Sequence, residues 1–97
     1  MYARPIPITD TDESGTIDTG GTAQEAAAAK ERVYLFIQNP STETESLFFS
    51  TDTTAVAASP SVELQPGQSA TWLVAVPQTA VSVIAATTGH KYTIKES

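Results

Sequence analysis

The stretch "RVYLFIQNP", Arg32 to Pro40, sets the fold class. Val33, Leu35 and Ile37 alternate with Tyr34, Phe36 and Gln38, the period of two that an extended chain imposes on its two faces. β-Branched and aromatic residues dominate, Asn39-Pro40 stops the run, and both faces carry bulk, which predicts a central strand rather than an edge.

Outward from this run the same signal repeats. "SLFFS" is a second short strand, ended by the polar "TDTT", and "AVAASP" leads into "SVEL", where Val62 and Leu64 alternate with polar partners. "QPGQ", Gln65 to Gln68, is a type II turn, since Pro66 fixes one dihedral and Gly67 supplies the positive φ that must follow. "SATWLVAVP" places Ala70, Trp72 and Val74 on one face. "AVSVIAATTGHKYTIKE", Ala80 to Glu96, reads as strand, tight turn at Thr88-Gly89-His90, strand, and hence as a hairpin. Upstream, "TAQEAAAAKER" has helical propensity, but a Gly-Gly pair precedes it, a strand follows at once, and its alanines offer no stripe to pack. It is expected to be extended over Thr22–Ala27 and to turn over Ala28–Glu31.

With "GTID" included, these runs make seven to eight short strands, with turn signals every eight to twelve residues. The expectation is all-β: a small single-domain β-sandwich, jelly-roll or Greek-key-like, over residues 20–97, preceded by an extended acidic N-terminal arm over residues 1–19. Its expected core is Val33, Leu35, Ile37, Leu47, Phe49, Val62, Leu64, Trp72, Val74, Val81, Val83, Tyr92 and Ile94. So small a core leaves little stability to spare, and an oligomer, dimer or trimer, would add to it. Tyr34, Phe36, Phe48 and Ile84 fall on the opposite faces of their strands and, with Arg4, Ile6 and Ile8 of the arm, form the candidate partner interface.

Composition narrows the function classes. The 97 residues make one domain, and with no cysteine there is neither a disulfide nor a thiolate site. Eleven acids against five bases give a net charge of −6, which repels phosphate backbones and argues against nucleic-acid partners. No apolar run approaches the length of a membrane span and no charged-then-apolar leader is present, so synthesis in the cytoplasm with no membrane partner is expected.

"DTDESGTIDTGG", Asp10 to Gly21, follows the start of a calcium-binding EF-hand loop, with Asp10, Asp12 and Ser14 at positions one, three and five and Gly15 at the sharp turn. Position twelve is Gly21, where that loop needs a bidentate glutamate, and neither flank reads as helical. The stretch is therefore read as a solvated arm with no metal site. Catalytic chemistry is equally thin. His90 is the one histidine, expected at a solvated hairpin tip; no nucleophile elbow or phosphate loop occurs, and Pro40 disqualifies "NPS" as a glycosylation site. No enzyme and no cofactor are expected.

"TGGTAQEAAAAKERVYLFIQNPST", with "VELQPGQSATW" and "VSVIAATTGHKYTIKE", resembles small virion-associated proteins of tailed bacteriophages. A "GGTAQ" opening, an "R...L.IQNPS" strand, a "L.PG" turn and a "V.V..ATTG..(F/Y)T..E" ending recur in that family. The resemblance spans about Gly20 to Glu96, and "AQEAAAAKER" departs from it by its wealth of alanine and charge. It implies a structural role on the virion: a capsid decoration or cement protein on the capsid surface, made in the bacterial host cytoplasm and bound to the major capsid protein. One alternative within the lineage is a module of a tail fibre, spike or neck. A different class, a carbohydrate-binding β-sandwich, would need a shelf of exposed aromatics, and Trp72 fits the core face better.

Overall fold

The computed structural model describes residues 10–97. Among the described residues, nine strand segments form: β1 (Thr11–Asp12), β2 (Gly15–Thr16), β3 (Gln24–Ala27), β4 (Leu35–Gln38), β5 (Leu47–Ser50), β6 (Val62–Leu64), β7 (Ser69–Trp72), β8 (Val81–Ile84) and β9 (Lys91–Glu96). There is no helix among the described residues, so the alanine-rich segment is extended at β3 and then irregular, as its lack of an apolar stripe predicts.

Two antiparallel sheets share one core. One has the order β1-β9-β4-β7 with β2 also on β9; the other has the order β3-β8-β5-β6. β1 and β2 hold a single register on β9, from Thr11 opposite Glu96 to Thr16 opposite Lys91, and are two halves of one strand interrupted at Glu13 and Ser14. β4 lies between β9 and β7, the central position its two bulky faces predict. From the first sheet Leu35, Ile37, Tyr92 and Ile94 point into the core; from the second come Ala27, Leu47, Phe49, Leu64, Val81 and Val83. Trp72 is half-buried on the same side and meets Phe49 edge-on, ring centroids 5.8 Å apart at 87°. The turn after Leu64 forms as read, with Gln68 N donating to the Gln65 carbonyl and Gly67 at φ +86°.

Several expectations are corrected. β8 and β9 lie in different sheets, so Ala80 to Glu96 is an arch between layers; the tight turn is there, but the strands it joins do not pair. Val33 is 64% exposed because the amides of Val33 and Tyr34 both donate to the Ser97 carbonyl, a bulge that shifts the alternation and turns Arg32 inward in its place. Val74 is exposed because β7 ends at Trp72 and Ala75 takes φ +53°. Val62 opposes Phe49 but sits on an edge strand whose far flank is open. Of the segment expected as an arm, Thr11–Asp12 and Gly15–Thr16 pair with β9 and Ile17 is buried in the core. Arg4, Ile6 and Ile8 lie outside the described residues.

Candidate functional site

The residues expected to form one interface are divided by the fold. β4 directs Leu35 and Ile37 inward, so Tyr34 and Phe36 stand on the outer face of the first sheet, where Phe36 lies between Thr71 and Lys95. β5 directs Leu47 and Phe49 inward, so Phe48 stands on the outer face of the other sheet, between Glu63 and Ile84. Tyr34, Phe36 and Phe48 are half-buried. Ile84 is 7% exposed: β8 is flanked by β3 and by Phe48 on β5, which leaves it little surface to offer. The two pairs thus occupy opposite sides of the molecule.

What the structure brings together is a set of buried polar side chains that the sequence did not mark. Arg32 is held by Glu96 through Nε, donates Nη1 to the carbonyls of Pro77 and Thr79 at 2.8 and 2.7 Å, and donates Nη2 to the carbonyl of Ala28 at 2.7 Å. Gln78 adds a reciprocal pair to its main chain, accepting from Arg32 N at 2.7 Å and donating to Arg32 O at 2.8 Å. Lys30 reaches the second Glu96 oxygen at 3.0 Å from the solvent side. Burial alone pushes the Glu96 carboxyl up; hydrogen bonds from Arg32 and Lys30, with the charges of both, outweigh it and hold the group below the ordinary carboxylate range.

At the other end of β4, Asn39 is fully buried and donates Nδ2 to the carbonyls of Glu45 and Leu64, both at 2.8 Å. Its Oδ1 lies 2.9 Å from Nε2 of His90, which is 3% exposed, while Nδ1 of His90 is 3.7 Å from Glu43. His90 therefore belongs to the interior and not to a solvated tip. The signal for this was out of reach of the sequence, because Asn39 and His90 are 51 positions apart.

The glycine turns at Gly20-Gly21 and Gly89 are also tied to distant segments. Gly20 N donates to Thr88 Oγ1, Gly21 N to the Ala85 carbonyl and Gly89 N to the Ile17 carbonyl, so the "TGG" and "ATTG" turns clasp each other. A Cβ on Gly20 would fall 2.3 Å from the Ala86 oxygen, which is why a glycine stands there. Gln24 joins the clasp by accepting from Asp18 N and donating to the Thr16 carbonyl.

In the acidic segment, Asp12 Oδ1 accepts from Ser14 N at 2.9 Å, its other oxygen lies 3.4 Å from Lys95 Nζ, and Ser14 Oγ accepts from Ile94 N. The hydrogen bonding from Ser14, with Lys95 nearby, holds the Asp12 carboxyl below its ordinary range. Asp12 and Ser14 thus span the break between β1 and β2 instead of converging on a point, and the described residues contain no cluster of His, Cys, Asp and Glu fit to hold a metal ion. A hollow of about 350 Å³ lies beside β3 and β8, lined by Gln24, Glu25, Thr51, Thr53, Thr79 and Ser82 among others, with no aromatic side chain in its wall. Compared with family models, with curated proteins and with solved structures, the chain matches none.

Proposed function

We propose that this protein is a structural component of a virion, a capsid decoration or cement protein that binds the major capsid protein and stabilises the head. The observation that carries the reading is the strand order. Counted with β1 and β2 as one strand, the sheets run 1-8-3-6 and 2-7-4-5, an order we read as a jelly roll, the two-sheet arrangement used by viral capsid and lectin domains. Fold alone does not assign a function; the resemblance of "GGTAQ", "IQNPS" and "ATTG" to virion proteins is the support for the lineage. The buried Arg32, Asn39, His90 and Glu96 are all held by structural partners, which suits a body whose work is to be rigid.

Outer-face Tyr34 and Phe36, beside Lys95, are the surface we assign to the capsid. Among the lectin-like alternatives, the half-buried Trp72 against Phe49 and the hollow without aromatics lack the stacking platform a sugar ring needs. The test is copy number on purified virions. Hundreds of copies per particle place the protein on the shell; about a dozen move it to the neck, spike or fibre; none sinks the virion reading.

A further inference from the structure

The four sheet edges are not equally guarded. An edge strand presents unpaired main-chain groups, and proteins blunt it with charge, proline, a bulge or brevity. The β1–β2 edge is broken at Glu13 and Ser14 and carries Asp12; β3 carries Glu25 and a register shift between Glu25 and Ala27; β6 is three residues long, with Glu63 at its centre and Pro60 and Pro66 close by. β7 has none of these. Between Glu63 and Lys91 the chain holds no Asp, Glu, Lys or Arg, and Ser69–Val76 holds no proline or glycine.

The geometry leaves this edge open for pairing. Asn39 N donates to Gln68 O, so in the antiparallel ladder Gln68, Ala70 and Trp72 direct their main chain to β4, and Ser69, Thr71 and Leu73 direct theirs away from it. Among the described residues, no other backbone hydrogen bond engages Ser69, Thr71 or Leu73. Leu73 and Val74 are 71% and 84% exposed, and Val33, on the neighbouring strand's approach, is 64% exposed, so the open main chain runs beside uncovered apolar side chains.

We propose that the β7 edge, from Ser69 through Val74, is the site where a second copy of this chain pairs, β7 against β7 in antiparallel sense about a two-fold axis, joining the β4-containing sheets of both copies into one. The occupant follows from charge. Each copy carries −6, and close approach of two such bodies sets like charges against each other over most of the surface; the uncharged span between Glu63 and Lys91 is where that opposition is least. An antiparallel pair of identical strands is self-complementary, as a two-fold contact requires. This inference does not rest on the virion reading.

The test uses the full chain. Sedimentation across micromolar to millimolar concentration gives a concentration-dependent dimer for the wild type. Thr71→Pro removes an amide that faces away from β4, and Leu73→Lys puts a hydrated charge in place of an apolar side chain at the contact; each is expected to weaken the dimer by about 30-fold or more, the effect of losing a central contact, with the near-ultraviolet signal of Trp72 retained. Because the chain has no cysteine, Thr71→Cys gives one defined thiol, which a short bismaleimide links to its counterpart, whereas Glu63→Cys on the β6 edge does not link. If Thr71→Pro unfolds, the lysine and cysteine variants decide alone. A wild type that stays monomeric at millimolar concentration, a dimer untouched by Leu73→Lys, or equal linking through Glu63→Cys overturns the proposal.

Discussion

At its start β4 is tied down by Arg32, which lies between Glu96, three main-chain carbonyls and Gln78; at its end it is tied down by Asn39, which lies between His90 and two carbonyls. Both side chains are buried and both join segments far apart in sequence. They differ in charge. The Arg32 end carries a cation and a carboxylate that must neutralise each other, because an isolated charge out of water is costly. The Asn39 amide carries no net charge, and losing it strands two carbonyls and one ring nitrogen of His90. The same architectural task is therefore performed with a large penalty for failure at one end and a smaller one at the other.

The largest effect expected is that of Arg32→Ala. It leaves Glu96, 1% exposed in the wild type, with Lys30 as its remaining cation, and it strands the carbonyls of Ala28, Pro77 and Thr79. Breaking a buried pair from one side costs about 3–5 kcal/mol, a large share of the stability of a domain this small. Arg32→Lys keeps the charge but loses the planar fork, and should fall between wild type and Ala in a denaturant melt. If Lys were as damaging as Ala, the hydrogen bonds and not the charge would set the penalty, and the contrast between the two ends would dissolve.

Asn39→Ala is expected to cost less, about 1–3 kcal/mol, the penalty for buried polar groups left without a partner. The groups stranded are the Glu45 and Leu64 carbonyls and Nε2 of His90. A chemical melt of this variant beside Arg32→Ala measures the contrast directly; equal losses would show that charge adds nothing at the Arg32 end.

The interior of "RVYLFIQNP" was legible and its ends were not. Period two identifies Leu35 and Ile37 as core because neighbouring strands hold them in register. The period fails at Val33, where two amides share the Ser97 carbonyl, and such a bulge has no mark in the local sequence. The burial of Arg32 and Asn39 was not legible because their partners are Glu96, 64 positions away, and His90, 51 away. The turn at Gln65–Gln68 was readable because Pro66 and Gly67 act locally; the pairing of β8 and β9 was misread because a tight turn does not say whether the strands it joins share a sheet. The outer-face placement of Phe36 and Phe48 was legible from alternation, but only topology shows that they lie on different sheets.

The charged end should also respond to acid. A carboxyl whose folded pKa is depressed contributes stability that is fully present above its unfolded value and is lost as the pH falls through the folded one. For Glu96 the window begins near its ordinary value of 4.5 and extends below it. Glu96→Gln should therefore be less stable than wild type at neutral pH, with a gap that narrows as the pH drops below 4.5. Asp12, also depressed, titrates in the same region in both proteins and cancels in the comparison. Thermal melts of the pair at a series of pH values check this; a gap that stays constant or widens in acid would mean that Glu96 is not held ionised by the fold.

The smallest effect separates the inner and outer halves of the charged end. Lys30 meets Glu96 at 3.0 Å, as close as a good ion pair, but its side chain is 41% exposed where that of Arg32 is fully covered. An exposed lysine gives up side-chain freedom to hold one geometry, and water and salt screen its charge, so such contacts are worth about 0–1 kcal/mol. Lys30→Ala is thus expected to lower stability by no more than about 1 kcal/mol at low salt and by less in high salt, where exposed charges are screened. Arg32→Ala should show little of that salt dependence, since its partner is out of reach of ions. A Lys30→Ala loss approaching that of Arg32→Ala would mean that two cations are needed to keep Glu96 ionised, making the start of β4 a three-member charge cluster rather than an Arg-Glu pair with a lysine at its rim.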